Sequence, residues 1–201
     1  MTASKGPRQS RWALGLPFVV VHLACAAAFF SGFSVAAVVA LGVSYVTRAF
    51  GITAFYHRCL AHRAFRARRP VQLVGAVLGA AAAQRGPLWW AAHHREHHLY
   101  TDREGDPHSP VVDGFLYSHV LWIFARANAA TRAQRVEDLA RFPELVFLDR
   151  FEYLAPGALL GSCLATGAAL QMWAPGLHTG PLQMAVWGFF VPTVALYHCT
   201  F

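Results

Sequence analysis

The chain has 201 residues, the length of one domain. Its composition is 56% apolar and 13% charged, which excludes an ordinary soluble domain and fits a membrane protein. The net charge of +7 raises nucleic acid as a partner, but the cations stand beside two long uncharged stretches, which excludes nucleic acid in favour of a membrane surface.

No Asp, Glu, Lys or Arg occurs between Arg11 and Arg48, or after Glu152. A spanning helix needs ~20 apolar residues, so each stretch has room for a helical hairpin. Residues 1–10 form a polar, basic tail with Lys5 and Arg8. A cleaved signal peptide competes for the apolar run that follows. The run resumes after Ser31-Gly32-Phe33-Ser34 and continues to Thr47, which favours a retained hairpin. Pro17 stands near its start, where helices tolerate proline. Spans are expected at about 12–31 and 34–56.

Next comes His57-Arg58-Cys59-Leu60-Ala61-His62, an H-x4-H pattern. At ~100° per residue the two histidines are splayed by ~140° on an α-helix. That angle is too wide for easy chelation of one ion. It suits two ligands serving two ions, or a helix that ends between them. Arg63, Arg66, Arg68 and Arg69 follow, and Pro70 ends the segment. Residues 71–83 are apolar but too short to span, and are expected at the interface or buried. After the break at Gln84-Arg85-Gly86-Pro87, Trp89-Trp90 reads either as an interfacial anchor or as core packing.

In Ala92-His93-His94-Arg95-Glu96-His97-His98, residues 94, 97 and 98 stand at i, i+3 and i+4 and share a helix face. Three imidazoles on one side of a helix form part of a metal site. His93 offers an alternative pairing with His97 at i+4. Eight of the eleven histidines fall from His57 to His119, beyond what scattered placement gives. No H-E-x-x-H occurs, which disfavours a zinc protease. In the turn-rich stretch 101–110, Asp102 and Asp106 can accept a ring N–H from a ligand histidine, or serve ordinary turn chemistry.

Residues 125–150 are charged with helical potential. Third and fourth spans are expected at 153–174 and 182–201, joined by a turn at Pro175-Gly176-Leu177-His178-Thr179-Gly180-Pro181. Every Lys and Arg lies in residues 5–11, at 48, or in 58–150, and none lies at the hairpin tips. This distribution puts the tips outside and the charged segment inside. The expected fold is an all-α integral membrane protein. Four transmembrane helices form two hairpins under a cytosolic, histidine-rich helical cap, 57–152. Cys25, Cys59, Cys163 and Cys199 show no C-x-x-C pairing and read as small buried hydrophobes in a reducing setting.

These residues carry a family resemblance. Gly51-Ile52-Thr53-Ala54-Phe55-Tyr56-His57-Arg58 with His62-Arg63-Ala64-Phe65 resembles the first histidine box of the membrane acyl-CoA desaturases. His94-Arg95-Glu96-His97-His98, with Thr101-Asp102 and Asp106-Pro107-His108, resembles the second box and its tail. Gly114-Phe115 and Ser118-His119-Val120-Leu121-Trp122 extend the likeness. It is specific from about 42 to about 122 and vaguer to Phe201.

The resemblance implies a fatty acyl desaturase that uses O2 and a centre of two iron ions. Removing hydrogen from an unactivated C–H bond lies beyond acid–base chemistry, and an imidazole shell suits the oxidising metal. The implied ligands are His57, His62, His94, His97 and His98, with His94 preferred to His93 because Arg95 directly follows the ligand. Asp102, Asp106, His108 and His119 are expected behind the ligands or in structural roles. His198, inside a span, is expected to line the acyl channel. The implied partners are an acyl-CoA substrate, membrane lipid and a small electron-transfer protein. The implied setting is the bacterial inner (cytoplasmic) membrane, with the metal site facing the cytoplasm.

Two departures qualify the likeness. The family's third box, with an Asn-Ser-x-x-His segment before it, would follow Tyr197-His198-Cys199-Thr200-Phe201. The sequence is therefore expected to be a C-terminal truncation of a single desaturase-like domain, 1–201, with an incomplete metal site. Ala92-His93 replaces an Arg-Asp pair of animal members that meets the CoA head group, which leaves the acyl carrier open. Alternative readings are a lipid hydroxylase or ketolase of the same class, an inactive remnant, or a membrane haem- or metal-binding protein using His22 and His198.

Overall fold

The computed structural model describes residues 12–200. The basic tail with Lys5, Arg8 and Arg11, and the last residue of the expected fourth span, Phe201, lie outside the described residues. Every described element is helical. Helix α1 (Trp12–Cys25) is followed by a turn and the short α2 (Ala28–Ser31). The amides of Ala26 and Ala27 bond back three residues, to the carbonyls of Leu23 and Ala24, which interrupts the first apolar segment. Among the described residues, three helices are long and apolar enough to cross a membrane: Val35–Ala61, Leu154–Trp173 and Pro181–Thr200. Only three of the four expected spans therefore meet that measure. Within the described residues the first segment counts as a shorter apolar helix, Gly15–Ser31.

Helix α3 (Val35–Phe50) opens on Ser34, whose hydroxyl caps the amide of Ala37. It continues unbroken into a π-helical segment, Gly51–Ala61. Arg48 lies within this long helix and is buried at 1% exposure. Its guanidinium donates to the carbonyl of Ser44 at 3.0 Å and to Thr193 Oγ1 at 2.6 Å, tying the long helix to the last one.

Helix α4 (Arg69–Ala80) crosses the π segment closely. A Cβ on Gly51 would lie 2.4 Å from the backbone nitrogen of Gly79, and one on Gly79 would lie 2.5 Å from the Tyr56 ring. Small residues at such crossings let backbones approach. The apolar segment expected at an interface or buried does both: Gly75, Ala76, Gly79 and Ala80 are buried, whereas Val71 and Val74 are exposed.

Helices α5 (Pro87–Tyr100), α6 (Pro110–Asp113) and α8 (Pro143–Arg150) each begin with proline, as does α10 (Pro181–Ala185). The short α7 (Phe115–His119) precedes a run of 3-10 turns. Helix α9 (Leu154–Trp173) and the α10–π–α11 helix, with α11 at Val191–Thr200, complete the chain. Tyr56, Leu60, Trp89, Trp122 and Leu145 share one buried core under the histidine-bearing helices.

Phe29, Phe30, Phe33, Val35, Met172 and Trp173 are 71 to 90% exposed, an apolar surface suited to lipid. Both hairpin tips meet on one side. Ser34 and Thr179 share a 2.6 Å hydroxyl hydrogen bond, and Trp187 Nε1 donates to the carbonyl of Gly32 at 2.7 Å.

The close crossing gives a test. Gly51→Ala drives a methyl into rigid backbone, and overpacking of this kind costs about 1–3 kcal/mol. Thermal unfolding in detergent should show a Tm several degrees lower for this variant, and an unchanged Tm would mean that the helices do not pack at that point.

Candidate metal centre

An α-helix would splay His57 from His62, but the π segment does not. Its hydrogen bonds reach back five residues, as from the amide of His62 to the carbonyl of His57 at 2.9 Å. The two rings therefore fall on one side, with Nε2 atoms 2.9 Å apart. The helix also ends between the two histidines, at Ala61 with His62 as its cap, which is the second of the two arrangements expected for this spacing.

Helix α5 adds His94 and His98 at i and i+4. Nε2 of His62 and Nε2 of His94 are 3.0 Å apart, and those of His98 and His94 are 3.1 Å apart. One ligand atom from each of His57, His62, His94 and His98 lies within 4.8 Å of all the others. Trp90 stacks on the His94 ring at 4.7 Å and 19°, which fixes its plane.

Arg95 joins the two helices. Its Nε donates to the carbonyl of Ala61 at 3.0 Å and its Nη2 to that of Leu60 at 2.6 Å. These carbonyls end the π segment and have no helical partner of their own. Asp138 holds the same guanidinium at 2.7 Å and also pairs with Arg63 at 3.0 Å. Neither the clamp role of Arg95 nor Asp138 was evident in the sequence. The one available signal was an arginine directly after His94.

His97 stands apart from the four. Its Nδ1–H donates to Asp106, 2.9 and 3.0 Å from the two carboxylate oxygens, and its ring stacks on His108 at 4.6 Å. His97, Asp106 and His108 form a second group of possible ligands. Asp106 is fully buried. It accepts from the amides of Asp102 and His108 as well as from His97. Burial opposes its ionisation, but these hydrogen bonds outweigh burial and hold its pKa below the usual carboxylate value.

Asp102, the other candidate, meets no histidine. Its carboxylate accepts from Ser109 and its backbone is left-handed, φ 56°, so it shapes the turn. His93 turns away from the cluster and donates through Nδ1 to the carbonyl of Trp89 at 2.9 Å. Ala92 and His93 are buried at 0 and 1% exposure. His198 joins a different trio: its Nε2 lies 3.0 Å from Nε2 of His22, and its Nδ1 lies 3.0 Å from Nε2 of His119.

Burial is the main influence on the imidazoles outside the spans. Burial, then the neighbouring His57 and His98, pushes His94 down to about 2. Burial, then His97, lowers His108 to about 4, and burial lowers His93 to about 3. All three are neutral at pH 7, the state in which imidazole binds a metal. A cavity of about 340 Å³ opens beside the histidines, with Ile52, Thr53, Trp90 and Trp122 in its walls.

Comparison with known proteins identifies relatives of the chain. Residues 32–201 match the family model described as fatty acid desaturase. The chain is 34% identical over 198 residues to an sn-1 stearoyl-lipid 9-desaturase of Anabaena variabilis, with 96% of this chain and 66% of that protein covered. It is 35% identical over 183 residues to Delta-9 acyl-lipid desaturase 1 of Arabidopsis thaliana, covering 90% of this chain and 55% of the relative. It is 34% identical over 175 residues to an acyl-CoA 5-desaturase of Anemone leveillei, covering 84% of this chain and 52% of the relative. The chain thus spans between about half and two thirds of these relatives.

The neutral imidazoles set a pH dependence. An unfolded chain protonates histidine near pH 6.5, whereas folded His93, His94 and His108 refuse the proton. Their folded pKa values lie below the unfolded one, so stability is full above about pH 6.5 and falls as the solution is acidified. Between pH 6.5 and 5 the loss is at most about 2 kcal/mol for His93, and less for the partly exposed His94 and His108. Denaturant unfolding of metal-free protein should therefore show a lower midpoint at pH 5 than at pH 7.5. Equal midpoints would mean that these rings are solvated.

Proposed function

The chain belongs to the fatty acid desaturase family, and from that premise we propose that the whole protein introduces a double bond into a fatty acyl chain with O2. The observation that carries this reading is the convergence of His57, His62, His94 and His98 on one point. The donors are imidazole nitrogens with no thiolate among them, a set that iron shares with zinc, copper and nickel, and the family membership favours iron. We propose that these four hold one iron, and that His97 offers its free Nε2 to a second. Bound iron supplies the oxidising power that takes hydrogen from an unactivated C–H bond.

The protein's own groups position the parts. Asp106 fixes the tautomer of His97, so that Nε2 carries the lone pair. Trp90 sets the plane of His94, and Arg95 sets the distance between the two histidine-bearing helices. The adjoining cavity, with Ile52, Thr53 and Trp122 in its walls, receives the acyl chain and keeps water from it. The relatives' names include both acyl-lipid and acyl-CoA desaturases, so the proposed substrate class is a long-chain acyl group in ester or thioester linkage. Exposed Arg58, Arg63, Arg66 and Arg68 beside the first box suit a small acidic electron-transfer protein.

The proposed setting is a bacterial cytoplasmic membrane, with residues 57–152 in the cytoplasm and 12–31 as a fourth span. The joined hairpin tips and the one-sided arginines support that orientation.

Two experiments test this reading. The complete gene product, expressed in cells, should yield a new monounsaturated fatty acid and bind iron, and His94→Ala should abolish both. Product formation by His94→Ala would remove the histidine cluster from the mechanism. In a background free of the native cysteines, Phe33→Cys and His178→Cys should react with an impermeant thiol reagent outside the cell, whereas Thr101→Cys should not. External labelling at position 101 would reverse the topology.

A further inference from the structure

One stretch inside the charged segment 57–152 is almost uncharged. Between Arg103 and Arg126 no Lys or Arg occurs, and from Pro110 to Phe124 the single charged residue is Asp113. The stretch folds as an elbow of two short helices, α6 and α7, followed by the 3-10 turn Leu121–Phe124. It is too short to cross a membrane.

The elbow has a fixed shape. Ser109 is buried at 0% exposure, and its hydroxyl accepts from the amides of Val111 and Val112, each at 3.2 Å, which caps α6. Gly114 joins the two helices at φ 82°, a conformation that glycine enters without strain. Its amide donates to the carbonyl of Pro110, and its carbonyl accepts from the amide of Ser118, both at 3.1 Å. Ser118 and Trp122 are buried, whereas Val111, Val112, Phe115 and Leu116 are 74, 45, 73 and 63% exposed. Single exposed apolar residues need no explanation, but four large ones on one fixed elbow mark a surface that something covers.

Its neighbours set its depth. The hydroxyl of Tyr197 donates to the carbonyl of His119 at 2.9 Å, and His119 Nε2 lies 3.0 Å from His198 Nδ1. Phe124 packs edge-on against Phe18 of α1, with ring centroids 5.5 Å apart. The elbow is therefore tied both to α1 and to the apolar helix Pro181–Thr200. At about 1.5 Å per residue, His198 lies about 26 Å along that helix from the hairpin tip, close to the far edge of a hydrocarbon core ~30 Å thick. Groups at that level meet the boundary between acyl chains and head groups. Arg103 and Arg126 are exposed at the two ends of the uncharged stretch, where anionic phosphates attract them.

We propose that the α6–α7 elbow is an interfacial membrane anchor. It lays Val111, Val112, Phe115 and Leu116 into the acyl region of one leaflet, with Arg103 and Arg126 among the head groups. That leaflet is the cytoplasmic one, a point that rests on the topology proposed above. A protein partner for this face would have to displace the lipid that surrounds the neighbouring helices at the same level. The anchor needs no desaturase chemistry, but it holds part of the site at the bilayer. Trp122 follows the elbow, lines the cavity beside the histidines and lies 4.5 Å from the His108 ring.

The test is site-directed spin labelling of the full-length protein, freed of its native cysteines, in phosphatidylcholine nanodiscs. Labels at Val111→Cys, Phe115→Cys and Leu116→Cys are read for collision with O2, which concentrates among acyl chains, and with a water-soluble nickel chelate, which stays out of them. The O2-to-chelate ratio at these sites should match that at Phe30→Cys in the apolar belt and exceed that at Thr101→Cys at least fivefold. Substitutions at such exposed positions leave the fold intact, and the three sites read the same face independently. A ratio equal to that at Thr101→Cys would put the face in water and overturn the proposal. So would low collision with both reagents, which would mean that another segment of the protein or a second copy covers the face. The collision ratio reports lipid contact whichever way the chain crosses the membrane, and labelling of Thr101→Cys on intact cells reports the side, so the anchor and the topology fail separately.

Discussion

One guanidinium, that of Arg95, decides whether the histidines form a site at all. His57 and His62 belong to the helix that begins at Val35, and His94 and His98 belong to α5. Chain connectivity alone does not fix the distance between them. Arg95 does so by donating to the carbonyls of Leu60 and Ala61, which end the π segment between the two histidines of the first pair. Charge-assisted bonds of this kind are among the stronger ones. They also settle a problem of the π segment, whose last carbonyls would otherwise face the protein interior without donors. Asp138 keeps the guanidinium in place. The clamp and the nearest ligand are sequence neighbours, so a shift of Arg95 is a shift of His94.

Legibility in the sequence followed the range of the interaction. The pattern of His94, His97 and His98 was readable because an α-helix turns a spacing into a face without help from elsewhere. The uncharged stretches were readable because a bilayer imposes a length. The meeting of His57 with His62 was not, because a π segment needs tertiary support that a local pattern does not record. Here that support is the crossing of α4 against Gly51 and the capping by Arg95. Asp138 was out of reach for the same reason, since it stands 43 residues from its partner. Asp102 and Asp106 looked alike in one turn-rich stretch, and only burial and backbone conformation separate them: one is buried behind His97, the other is held left-handed at the turn.

Arg48 connects the membrane-like part of the fold to the site. A buried cation costs free energy unless its donors are met. In this fold Nε reaches the carbonyl of Ser44 and Nη1 the hydroxyl of Thr193, while Nη2 is buried without a partner; the Thr193 contact fixes the long helix against the last one. At the other end the hairpin tips are fixed by Ser34 and Thr179. With both ends held, the π segment at the C-terminal end of the long helix has a rigid base. The geometry of the histidine cluster therefore depends on contacts well outside it.

The division of labour among the histidines follows from helix geometry. On α5, His94 and His98 differ by ~40° around the axis, whereas His97 differs from His98 by ~100°. Residues that share a broad face therefore do not share a point. His94 and His98 meet the π segment, while His97 turns toward Asp106 and His108. The pair that an α-helix would splay converges on one point, and the trio that shares a face divides, His94 and His98 meeting that pair while His97 joins Asp106 and His108. The two helices thus break the simple rule in opposite senses. The π segment gathers what an α-helix would separate, and α5 separates what a face count would gather.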